Sequence, residues 1–246
     1  QVMHAVMDDR MGLGSPVAKL LTASLRNGWS KLRPERRALL ELLSRCAISS
    51  EQAFAFYDTT ERKSAGIEAS DAELLANPYL LFELDRTRQS PIAFDTVDRG
   101  LFPDASVRSE YPVPEKSRID DPVDPRRVRA LVTDLLERAA VQGHTVLPRE
   151  WVILRARERA MQPPCPLGEN VLDATEESFG PVIAKVATRS GAPAYQIDRL
   201  AACRELIRRE VNGRCKGKPH TAHHDWSALV DKGIGQALPE QAEPRE

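Results

Sequence analysis

Seven apolar residues, Val128, Leu131, Val132, Leu135, Leu136, Ala139 and Ala140, recur at intervals of three and four along one stretch of this chain. That spacing puts them on a single stripe of an α-helix, and such a stripe must be buried against other elements. Asp124 and Pro125 suit the start of this helix and Gly143 its end.

The remaining text predicts mostly short helices. Pro16 fits the first turn of a helix running to about Asn27 and closed by Gly28, and Pro34 opens one carrying Leu39, Leu40, Leu42 and Leu43. Ser49 with Gln52, and Ser70 with Glu73, have the spacing of capping boxes. The second of these helices must end before Pro78, because the residue ahead of a proline avoids the helical region. Between 101 and 125, Pro103, Pro112, Pro114, Pro122 and Pro125 interrupt a charged stretch, which reads as a strap between two domains. A helix follows Pro148 with Trp151, Ile153 and Leu154, and another is expected over about 169–179. Residues 181–197, PVIAKVATRSGAPAYQI, then place β-branched residues on both sides of Ser190 and Gly191, a hairpin signal. Helical spacing returns over 197–211 with Leu200, Ala201, Cys203, Leu206 and Ile207. Three helices followed by a hairpin is the order of a winged helix.

Composition narrows the function classes. Hydrophobic residues are 41% and charged residues 29% of the 246, a globular rather than a disordered mixture. No apolar run approaches the roughly 20 residues of a membrane-spanning helix, no basic-then-apolar leader opens the chain, and no membrane partner is expected. Cys46, Cys165, Cys203 and Cys215 lie far apart with no CxxC, which suits a reducing cytoplasm. The net charge of −1 conceals a pattern: 8 basic against 4 acidic residues in 1–50, 8 against 16 in 51–125, 17 against 11 in 126–220, and 2 against 5 in 221–246. Only the two basic blocks are candidates for a polyanion surface. The first residue is Gln1 and residues 238–246 are polar, so the sequence reads as a piece of a longer protein.

Catalytic signatures are lacking. The nearest string to a phosphate-binding loop runs from Gly213 to Pro219, is one residue short in its spacing, and has Pro219 where a hydroxyl is needed. The chain alone is therefore not expected to hydrolyse ATP. Asp8 and Asp9, Asp120 and Asp121, and Glu176 and Glu177 are adjacent pairs whose side chains diverge on a helix, and neither GxSxG nor HExxH occurs. Cys215, His220, His223 and His224 are zinc-type donors without the spacing of a closed site, so no metal is expected.

Two sets of residues point to phosphate. Gly12, Leu13 and Gly14, ahead of Pro16 and Lys19, form a G-x-G turn opening a helix, the layout of a helix-hairpin-helix. Glycine permits the tight turn, and the helix start presents free N–H groups to a phosphate without reading a base. The same turn also serves as a packing corner between helices. Arg149, Arg155, Arg157 and Arg159 follow Pro148; Arg155 and Arg159 share a helical face, with Trp151 one turn before Arg155. With Lys185 and Arg189 of the hairpin they would form a phosphate-facing edge and wing, although charge runs of this kind also make ordinary solvated faces.

A more specific signal lies in residues 77–103, NPYLLFELDRTRQSPIAFDTVDRGLFP. Asn77, Pro78 and Tyr79, a short acidic stretch, and then PIAFDTVDR from Pro91 to Arg99 resemble the helix-hairpin-helix repeat of RecD-like superfamily 1 DNA helicases. Arg88, Gln89, Ser90 and Pro91 replace the family's glycine-containing hairpin. GHTVLP, from Gly143 to Pro148, resembles the turn ahead of that family's winged-helix segment, and residues 195–211 resemble the helix preceding its motor. The matches follow the family's order over about residues 10–215.

The resemblance implies the N-terminal, DNA-associated accessory region of an ATP-dependent helicase of the AAA-type ATPases, cytoplasmic and acting in DNA repair. Its partners would be single-stranded or forked duplex DNA and the downstream motor domains, with ATP and Mg belonging to the full-length protein alone. The expected architecture is mainly α: a helix-hairpin-helix bundle over 1–105, a proline-rich linker over 106–123, a winged-helix-like domain with one β-hairpin over 124–215, and a polar connector over 216–246. The expected DNA-binding residues are Gly12, Leu13, Gly14, Lys19, Arg149, Arg155, Arg159, Lys185 and Arg189. A reading from a different class, a protein-interaction or scaffolding module with no nucleic-acid contact, is favoured by the near-neutral charge and the acidic middle. The two readings part on whether Lys19, Arg155, Arg159 and Lys185 share an open face or run into ion pairs.

Overall fold

The computed structural model describes residues 22–217 and 225–237; Gly12, Leu13, Gly14 and Lys19 lie outside the described residues. The described chain is mainly helical with one small antiparallel sheet.

Local signals set most helix ends. Helix α1 (Ala23–Lys31) starts at Thr22, whose hydroxyl accepts from the Leu25 N–H. It runs through Gly28, where the sequence suggested a stop. The extra turn puts Trp29 into the core, with the Arg37 guanidinium over its ring and donating to its carbonyl. Helix α2 (Pro34–Arg45) has proline in its first turn and buries Leu39, Leu42 and Leu43. Both capping boxes form, at Ser49 with Gln52 for α3 (Ser50–Tyr57) and at Ser70 with Glu73 for α5 (Asp71–Ala76), with α4 (Thr59–Ser64) capped by Asp58 between them. Helices α6 (Leu80–Glu83), α7 (Phe94–Leu101) and α8 (Ala105–Glu110) follow. At Gly100 a side chain would meet the Arg45 carbonyl oxygen at 3.0 Å, so glycine here permits α7 to touch the end of α2.

Asp71 ties three of these elements. It accepts from Arg36 at 3.1 Å and from Arg62 at 2.7 Å, and the same arginines also donate to the carbonyls of Tyr57, Phe56 and Ala69. Burial alone would raise its pKa, but the two guanidiniums outweigh burial and hold the carboxyl below its ordinary range. The folded state then binds fewer protons than the unfolded one. The contribution is present above the unfolded pKa and is lost as pH falls through the folded value. Between about pH 6 and pH 3, the urea midpoint of Asp71→Asn should therefore fall less than that of the parent. Equal slopes would remove this role.

The proline-rich stretch is not a boundary between domains. Val113, Ser117 and Ile119 are buried in it, the Ser117 hydroxyl donates to the Leu75 carbonyl at 2.9 Å, and Arg126 donates to the carbonyls of Ala76 and Arg118. One hydrophobic core extends through both predicted halves, from Leu39 to Ile197. The chain instead divides after Ala201. The strap carries α8 and a 3-10 turn over Glu115–Ser117, and its few apolar side chains are enough to seat it.

The apolar stripe becomes helix α9 (Pro125–Val141), with Val128, Leu131, Val132, Leu135, Leu136 and Ala139 buried. It closes on Gly143 at φ +89°, with the Gly143 N–H donating to Ala140 and the His144 N–H to Ala139. Then come β1 (Leu147–Pro148), α10 (Arg149–Glu158), α11 (Glu169–Thr175), β2 (Ile183–Ala187) and β3 (Pro193–Ile197). The strand order is β1-β3-β2, antiparallel throughout, with Leu147 opposite Tyr195 and Ile183 opposite Ile197. Strand β1 had no sequence signal, since two residues are too few to show a period. Helix α12 (Asp198–Cys215) is held at its first turn by Arg86 on Asp198 and by Glu137 on Arg199.

In the second unit, residues 202–217 are all exposed, and helix α13 (Trp226–Ala237) occupies part of the stretch expected as connector. Trp226, Leu229 and Val230 have the helical spacing that accounts for it.

Candidate nucleic-acid interface

Helix α10 is anchored through Val152, Ile153 and Ala156, which are buried, so its remaining side chains are presented from a fixed backbone. Arg149, at its start, does not face solvent. Its guanidinium lies between Glu169, Asp173 and Glu176, at 2.5, 2.7 and 3.1 Å, and its side chain is 12% exposed. Arg159, just past the other end, pairs with Asp134 and with Asp95 and sits over the Phe94 ring. Lys185 on β2 pairs with Glu176 at 3.1 Å. Arg149 and Arg159 thus spend their charge within the fold, whereas Lys185 is ion-paired at the surface, its side chain 59% exposed. Arg155 differs: its side-chain partner is the neutral amide of Gln142, and among the described residues it makes no ion pair. Arg189, in the hairpin turn that closes on Gly191 at φ +85°, is exposed and unpaired among the described residues.

Helix α11 and the turn after it are acidic, with Glu169, Asp173, Glu176 and Glu177. Glu176 also accepts from the Tyr195 hydroxyl. Burial would raise this carboxyl, but the Tyr195 and Lys185 contacts hold it below its usual range. The Tyr195 phenol is pushed up by burial and by that carboxylate.

The residues that carried the helicase resemblance meet in the core. The Tyr79 hydroxyl donates to Asp98 Oδ1 at 2.6 Å, and Arg127 on α9 donates to both Asp98 oxygens at 2.8 and 2.9 Å. Arg127 also donates to the carbonyls of Pro122 and Pro163 and lies over the Phe102 ring at 4.3 Å. Burial, with the Asp98 charge beside it, pushes the Tyr79 phenol well up, so it remains a donor. Nearby, Arg129 pairs with the buried Glu83, whose pKa is still raised because desolvation outweighs the guanidinium. The sequence reading missed Arg127 as a partner. Its signal was a charge four residues before Leu131, at the edge of the apolar stripe.

The outer side of α10 is the exposed part of this region. Trp151 is 47% and Leu154 48% exposed, and with Glu150 they line a shallow depression of about 290 Å³. A larger cleft of about 440 Å³, lined by Asp95, Arg99, Arg138 and Arg159, contains its own counter-ion in Asp95. Burial pushes the Cys46 thiol up to about 12 and the Cys165 thiol up to about 11, which keeps both unreactive. No cluster of three or more metal-type side chains occurs among the described residues; Cys215 ends α12, while His220, His223 and His224 lie outside them. No described helix is long and apolar enough to cross a membrane. Compared with protein-family models, with curated proteins and with solved structures, the chain shows no significant match.

Proposed function

We propose that this chain is a non-catalytic, DNA-engaging accessory region of a RecD-like ATP-dependent DNA helicase, working beside a motor that binds ATP and Mg and lies outside the chain. The observation that carries this reading is the order of elements over 125–197: helix, strand, helix, helix, strand, strand, with β3 between β1 and β2. That order and pairing fit a winged helix, with the β2–β3 hairpin as the wing. The helicase-like residues support it differently. Asp98 takes Tyr79 and Arg127 together, and Phe94 stacks on Tyr79, so the motif serves to join the two halves. The helix-hairpin-helix assignment of the first half remains part of the proposal, with Gly12, Leu13, Gly14 and Lys19 as its phosphate seat.

Contact with DNA through the winged half is sparse. Arg155 and Arg189 supply it, Arg149 and Arg159 act as internal counter-ions, and Lys185 is neutralised at the surface by Glu176. Binding to a forked duplex, followed by fluorescence anisotropy, should weaken about tenfold between about 50 mM and 200 mM salt, as expected for roughly two neutralised phosphates. No binding at the lower salt, or no salt dependence, overturns the reading.

Two observations favour the second reading, a protein-docking module. Arg159 and Lys185 run into ion pairs rather than sharing an open face. In a winged helix the third helix is the one that enters the groove, and here that helix is acidic, with Glu169 and Asp173 exposed. On that reading forked DNA is not bound at either salt.

A further inference from the structure

We infer that Trp151 is a stacking platform for an unpaired nucleobase, with Arg155 holding the adjoining phosphate. This rests on the DNA-engaging reading and names the form of nucleic acid that the α10 face takes.

In the first unit Trp29 is 8% exposed, whereas Trp151 is 47% exposed. The indole of Trp151 is presented by a helix fixed along its inner side by Val152, Ile153 and Ala156 and at its ends by the ion pairs of Arg149 and Arg159. A platform held this way loses little freedom when a ring settles on it. Leu154, one turn on, is 48% exposed and extends the apolar surface. Arg155 stands four residues from Trp151, hence on the same side of the helix, and Gln142 leaves its charge uncancelled.

The rim selects between the parts of a nucleotide. Glu150 lines the depression with Trp151 and Leu154, and its carboxylate repels a phosphate. The depression therefore admits the uncharged face of a base, while the phosphate goes to Arg155. A duplex keeps its base faces stacked inside, so the ligand is single-stranded. Every base has a π-face, so recognition is independent of sequence.

The test uses the full chain and an oligothymidylate of about 12 nucleotides, with an abasic oligomer of equal length and charge as the control. Oligothymidylate should quench tryptophan emission, and Trp151→Phe should abolish that quenching while keeping affinity within about threefold, since phenylalanine still stacks. Trp151→Ala should bind oligothymidylate about tenfold more weakly, and the abasic oligomer should bind the parent about tenfold more weakly without quenching. Equal binding of the two oligomers, unchanged by Trp151→Ala, overturns the platform and leaves the DNA-engaging reading standing. Failure of both oligomers and of the forked duplex to bind at low salt overturns both.

Discussion

Replacing Arg127 with leucine should cost about 3–5 kcal/mol of stability, the usual effect of removing one partner of a buried ion pair. Both partners are almost completely enclosed: the side chains of Arg127 and Asp98 are 0% and 6% exposed. The loss arises because Asp98 would remain in the core without its counter-ion and because the carbonyls of Pro122 and Pro163 would lose a donor. Removing both charges, as in Asp98→Leu with Arg127→Met, should recover much of the loss, since a buried pair gains little over well-packed apolar residues. The recovery should be incomplete, because the Tyr79 hydroxyl would then lack its acceptor. Urea unfolding of the parent, the single and the double variant measures this directly. A single variant within about 1 kcal/mol of the parent would show that Arg127 does not join the two halves.

Phe94→Ala should be about as damaging, at roughly 3–5 kcal/mol. Phe94 is fully buried, stacked on Tyr79 with centroids 5.7 Å apart and meeting the edge of Phe82 at 6.1 Å. The Arg159 guanidinium lies 5.2 Å from its ring, so the substitution both opens a cavity and removes the surface beneath that ion pair. Phe94→Leu keeps most of the volume and should cost less than about 1.5 kcal/mol beyond the lost ring contacts. Thermal unfolding separates them: a unit of this size shifts by about 2–4 °C for each kcal/mol, so Phe94→Ala should melt about 10 °C lower. Similar melting of the two variants would mean that ring packing here contributes little.

Phe94 and Asp98 lie inside the stretch most suggestive of function, and Arg127 reaches it from α9. Asp98, in the FDTVDR string, is consumed by Tyr79 and Arg127, and Asp95 by Arg159. Arg149 at the start of α10 and Arg159 just past its end have a similar fate. Sequence spacing placed Arg155 and Arg159 on one helical face, but Arg159 turns toward α7 and α9 while Arg155 stays at the surface beside Gln142. The unpaired basic surface around α10 is smaller than the charge count implied, and Trp151 and Leu154 are exposed on the same helix as Arg155.

Away from α1, whose start at Thr22 and passage through Gly28 the sequence did not show, helix placement was readable at ends whose deciding contacts lie within one turn. Ser49 with Gln52, Ser70 with Glu73, Asp124 with Pro125, and Gly143 each act on neighbouring backbone groups, and the corresponding helices begin and end where those residues stand. The β2–β3 hairpin was readable for the same reason, with Gly191 supplying the positive φ of its turn. Strand β1, the seating of the proline-rich strap and the partner of Arg127 depend on residues dozens of positions away, and no local pattern encodes them. Burial and pairing of a charge are properties of the assembled core: the same arginine is a phosphate contact or a structural counter-ion according to which carboxylate the fold carries to it.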